Sequence, residues 1–191
     1  MNPLNVNFER LYRRHLCRHG HFGINILHLI AVAGIYVPLF GVVDAFLSLA
    51  GVQHRLPILA VLTLPWFLTV AVNVPVRVSV VTAIFVAGLL GLFALVPTSV
   101  SPILLLVVGV VMILLMHQFQ QYSHRIYHMD RDMSEFEADY PKGRQRFVLL
   151  LFYELPILLN YLLFGRADWV WRTKTDESAT SSGQTTSGQT A

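Results

Sequence analysis

The chain holds a single cysteine, Cys17, which leaves no partner for an internal disulfide and rules out a cysteine-built zinc or iron–sulfur cluster. Charge is scarce as well: 13% of the 191 residues are Asp, Glu, Lys or Arg, about half the usual share of a soluble domain. No small-residue cleavage site follows a short apolar core near the start, so the first residues do not read as a signal peptide. What is plentiful is apolar. A hydrophobic content of 54% and a mean hydropathy of +0.56 imply an integral membrane protein, an all-α helix bundle with little room for a separate soluble domain. A net charge of +3 and a pI near 9.2 would suggest nucleic acid in a soluble chain. Here the basic residues flank hydrophobic segments, where they serve anionic lipid headgroups and orientation, and no nucleic-acid partner is expected. Eight histidines against one cysteine direct attention to imidazole chemistry.

Residues 1–23 read as a basic interfacial helix, amphipathic and carrying Arg10, Arg13, Arg14 and Arg18. Residues 24–166 form the membrane bundle, with a histidine-bearing loop at 117–146. The expected architecture is four full spans plus a C-terminal broken or re-entrant apolar segment. The spans run from Ile24 to Val43, Leu56 to Val72, Val78 to Val96, and from Ile103 to the vicinity of His117. Asp44 to Arg55 reads as an external loop containing His54, and Arg77 places its short connection on the inside. Glu154, Pro156 and Asn160 interrupt the last apolar run, Phe147 to Phe164. Folding it back as a re-entrant or interfacial hairpin keeps Arg166, Arg172 and Lys174 inside. Residues 167–191 end in Ser, Thr, Gly and Gln, with Ser-Gly-Gln-Thr occurring twice, and read as a disordered tail.

At about 100° per residue, His117, Gln121, His124 and His128 share one helical face, and so do His21, Asn25 and His28. An i, i+4 pair such as His124 and His128 can reach one ion from one side of a helix. Four spans between the stripes return the chain to its starting side, which is expected to be cytoplasmic. His21, His28, His117, His124 and His128 then meet at one end of a small bundle, where inward side chains can build a metal site. An all-nitrogen donor set suits iron, zinc or copper and not calcium or magnesium. Haem competes, but it needs ligands facing each other across a wide slot. His15 and His19 read as solvated or lipid-facing, and His117 serves equally well as a headgroup-boundary marker. Asn25 either caps its helix or bonds a ligand imidazole from outside. Tyr122, Tyr127, Tyr153 and Tyr161 read as interface-belt residues.

With these motifs in place, the chain resembles the membrane 2-hydroxy fatty acid dioxygenases of α-oxidation. The likeness runs from about residue 12 to 166. It rests on His21-x3-Asn25 with His28 following, on Gln120-x3-His124 after the last full span, and on Pro141 and the broken segment from Leu155-Pro156 to Phe164. There are departures. Two residues separate Asn25 from His28 where the family has three, Ser123 replaces a glycine, His128 replaces a glutamate, and the loop before Pro141 is longer. The resemblance implies a non-haem Fe(II) centre that uses O2 to shorten a 2-hydroxy fatty acid by one carbon, whereas haem or Zn are the lesser alternatives that the donor set itself leaves. It implies His21, His28, His124 and His128 as ligands and Arg125 or Arg131 on the substrate carboxylate, with Asn25, Gln120 and Gln121 behind the ligands. The His-x2-His-His box of the broader desaturase and hydroxylase class is absent. The alternative class is a non-enzymatic membrane protein that binds lipid, haem or a partner through its basic inner surface.

Overall fold

The computed structural model describes residues 5–53, 55–127 and 143–165. Among them the protein is all-helical: α1 (Phe8–Arg18), α2 (Phe22–Leu49), α3 (Arg55–Ala71), α4 (Val76–Ala94), α5 (Pro102–Ile126) and α6 (Arg144–Phe164). Helices α2, α4, α5 and α6 are long and apolar enough to cross a membrane, whereas α3 is shorter at 17 residues. His54, His128, Arg131, Glu135, Glu137, Pro141 and the tail lie outside the described residues.

The boundaries follow local chemistry. Asn7 caps α1 by accepting a hydrogen bond from the Arg10 amide at 2.9 Å. Pro102 opens α5 at a position where its missing N–H costs nothing. Helix α2 does not stop at Val43. It runs on to Leu49, 28 residues and about 42 Å in all, because Asp44 is satisfied inside the protein by Arg55 Nη1 at 2.9 Å. The stretch expected as a loop is thus partly helix, and the ion pair ties α2 to the start of α3. The final apolar run is likewise one continuous helix with Pro156 inside it, not a hairpin.

Helix α5 packs closely along α2, where a Cβ on Gly109 would stand 2.7 Å from Val42 Cγ2 and 3.0 Å from the Pro38 carbonyl oxygen. Gly34 makes similar room for Met116. Two apolar cores result. One gathers Val32, Phe40, Leu59, Val86, Leu89 and Phe93 with Leu155, Leu158 and Leu159 of α6. The other sits at the end where α2 begins, where Phe8, Leu11, Tyr12 and Leu16 of α1 meet Val70, Val74, Val78 and the Leu149, Tyr153, Ile157, Tyr161 stripe of α6. The apolar face of α1 is therefore spent on protein. Helix α6 makes its polar contacts at this same end: Tyr153 Oη to the Thr69 carbonyl at 3.4 Å, Tyr161 Oη to the Gly20 carbonyl at 3.1 Å, and Phe164 beneath the Arg77 guanidinium at 5.1 Å. Tyr153 and Tyr161 are buried, and so are not interface-belt residues.

Candidate metal centre

His28 stands two turns into α2 and is buried, as are Ile24, Asn25, Ala31 and Val32 on the same face. Its Nδ1 lies 3.1 Å from Glu154 Oε1, and the Gln120 amide nitrogen donates to that same oxygen. One carboxylate oxygen thus serves two donors. The Gln120 amide nitrogen also stands 3.2 Å from His28 Nδ1; a proton on Nδ1 answers the carboxylate, and in that tautomer Nε2 is a lone pair. His28 Nε2 is buried and has no hydrogen-bond partner. An acceptor nitrogen with no donor in reach is costly in a protein interior and fits a cation in that place.

Around His28 the rings of His19 and His124 close in. Ring centroids are 4.5 Å apart for His19–His28, 4.8 Å for His19–His124 and 4.8 Å for His28–His124. Ligand nitrogens from the three rings lie within 4.8 Å of one another, and His19 and His28 are buried. With metal–nitrogen bonds near 2 Å, imidazoles sharing an ion at 90–109° have centroids roughly 4.4–5.1 Å apart. Rings on opposite faces of a haem would stand about 6 Å apart or more, which these do not. Three imidazole nitrogens are a donor set that fits a borderline ion such as iron, zinc or copper.

His19 reaches this point because α1 ends at Arg18 and the chain turns through Gly20 into α2. The Asn25 amide staples the turn, donating to the His19 carbonyl at 2.6 Å and the His21 carbonyl at 2.9 Å. The Asn25 amide nitrogen therefore holds the backbone of the His19–His21 turn and does not bond an imidazole. Tyr161 clamps Gly20 from the other side.

The structure brings together His28, His124 and Gln120 of the expected site. His21 does not join them: it is exposed and its ring lies 6.0 Å from that of Tyr127. Gln121, Arg125 and His117 are also exposed, Arg125 in the last turn of α5 that carries His124. His15 and His19, expected to be solvated or lipid-facing, are buried instead, because the polar outer face of α1 is the arginine side and the histidines accompany Leu11 and Leu16 inward. His19 and Glu154 are the members that sequence reasoning missed. A carboxylate in the middle of an apolar helix was the available signal for Glu154. For His19 there was none, since angular spacing holds within a helix and fails across a turn.

Fold and site together define a membrane helix bundle with a buried histidine cluster at one end. No family model, curated protein or solved structure matches the chain.

Proposed function

We propose that the protein is a metal-dependent membrane oxygenase acting on a fatty acid or related lipid, and that its reaction is the one-carbon shortening of a 2-hydroxy fatty acid. The observation that carries this reading is the convergence of His19, His28 and His124 from separate segments on one point, with Glu154 behind His28. These three imidazoles would hold Fe(II), which supplies the redox chemistry with O2. The balance is one 2-hydroxy acid and one O2 giving the acid one carbon shorter, CO2 and water: the bond between carbons 1 and 2 breaks and carbon 2 is oxidised. Glu154 keeps the proton on His28 Nδ1, and Gln120 keeps Glu154 in place. Arg125 or Arg131, the latter outside the described residues, would hold the substrate carboxylate. The acyl chain would lie among the apolar helices. With Arg10, Arg13, Arg14 and Arg77 grouped at the histidine end, that end faces the cytoplasm in this reading.

The test is anaerobic purification followed by iron analysis and incubation of the protein with a 2-hydroxy fatty acid and O2. The expected result is close to one equivalent of iron, lost in His19→Ala and His124→Ala and kept in His21→Ala, together with an acid one carbon shorter. Iron below about a tenth of an equivalent, unchanged by His124→Ala, sinks the reading. A haem absorption band would move the assignment to a haem-binding protein.

A further inference from the structure

A fourth imidazole is buried at this end and has no part in the ligand set above. His15 lies one turn before His19 on α1, and the two rings stack with centroids 4.0 Å apart and planes 15° from parallel. The lone pairs of an imidazole lie in its ring plane. Two rings stacked face to face therefore point their nitrogens along parallel directions, and they cannot both aim at one ion. His19, by contrast, meets His28 and His124 at steep angles of 67° and 59°, as rings converging on a common point do.

The plane of the His19 ring is set by what packs against the ring, and His15 is the contact that lies flat on it. His19 is the C-cap of α1, at φ −129° and ψ 42°, outside the helical geometry that would otherwise restrict its side chain. The Asn25 and Tyr161 staples act on the backbone of this turn, whereas the stacked face of His15 acts on the His19 ring itself. His15 is carried on regular helix, buried beside Leu11 and Leu16, and presents a flat face to it. We propose that His15 is a positioning residue of the metal centre: by stacking on His19, it sets the plane in which His19 offers a nitrogen to the ion. The inference rests on the reading of His19, His28 and His124 as ligands.

Co(II) titration of the detergent-solubilised full chain tests it, with the dissociation constant and the ligand-field absorption spectrum read in wild type, His15→Phe and His15→Ala. Phe keeps the stack and discards both ring nitrogens, whereas Ala discards both. His15→Phe is expected to bind within about threefold of wild type with the same spectrum, and His15→Ala to bind about tenfold more weakly with an altered one. Melting of the metal-free variants shows whether the fold survives, and the phenylalanine rescue separates ring support from general destabilisation. If His15→Phe loses as much affinity as His15→Ala while melting like wild type, the nitrogens matter and the proposal is wrong. Wild-type binding and spectrum in His15→Ala overturn it as well. Failure of the wild-type protein to bind Co(II) removes the ligand assignment and the inference with it, and is seen before any variant is compared.

Discussion

Glu154→Gln is the most telling single change, because it keeps volume and shape and removes only the charge. In the native arrangement Glu154 Oε1 accepts from His28 Nδ1 at 3.1 Å and from the Gln120 amide, with the His28 ring buried and the carboxylate 18% exposed. Both donors then face a neutral amide, which can turn its oxygen to them but accepts less strongly. Hydrogen bonds to a charged group contribute about 1.5–3 kcal/mol, against roughly 0.5–1.5 for neutral ones. The proton on Nδ1 is held less firmly, and the basicity of Nε2 towards an ion falls. Losing a carboxylate behind a ligand imidazole weakens metal affinity by about 10- to 100-fold, or roughly 1.4–2.7 kcal/mol. Isothermal titration with Co(II) or Fe(II) under anaerobic conditions measures it. The decisive comparison is a double-mutant cycle: in a His28→Ala background, Glu154→Gln should cost little further affinity, since the group it acts through is gone. Fully additive losses, or a Glu154→Gln protein that binds like wild type, would refute the carboxylate–imidazole coupling.

Further outcomes follow from the same contacts. Because His19 ends α1, metal binding should hold that helix down, and trypsin in the presence of a chelator should cut after the exposed Arg10 and Arg13 faster than in the loaded protein. Equal cleavage rates would show that α1 docks without the ion. Gly109→Val pushes a branched side chain against Val42 and the Pro38 carbonyl, and should destabilise the α2–α5 packing by about 1–3 kcal/mol and weaken metal binding as His124 is displaced from His28. Thermal melting and Co(II) titration read the two effects. Burial first, and Tyr161 second, push the Tyr12 phenol up to about 12. A raised folded-state pKa means a contribution that is intact below pH 10 and lost as pH climbs from 10 to 12. Melting temperatures across that window should fall less steeply in Tyr12→Phe, and parallel falls would count against Tyr12 as the group responsible.

Hydropathy made α2, α4 and α5 legible, since a run of apolar residues long enough for a bilayer has few alternatives. It misjudged polar residues inside those runs. Asp44 read as the end of a span and Glu154 as a break, because a charge in an apolar segment is costly when unpaired. Each has a partner on another helix, Arg55 and His28 respectively, and neither interrupts its own. Histidine spacing identified two stripes correctly as belonging to one end, yet it selected His21 over His19. The two are separated by Gly20 alone, and the choice between them is made by the turn geometry that Asn25 and Tyr161 impose. Those contacts, one pair local across the turn and one from α6, follow no helical repeat and are invisible to periodicity.

The staple on the His19–His21 turn also bears on how the molecule is made. A chain emerging N-terminus first delivers His19, Asn25 and His28 well before His124, and Glu154 last of all. Asn25 can secure the turn as soon as α2 forms, so the first half of the cluster is set in shape while its other members are still unsynthesised. The Tyr161 clamp and the carboxylate behind His28 arrive together on α6. Completion of the last helix is therefore the event that closes the turn from its second side and brings the Glu154 carboxylate to His28.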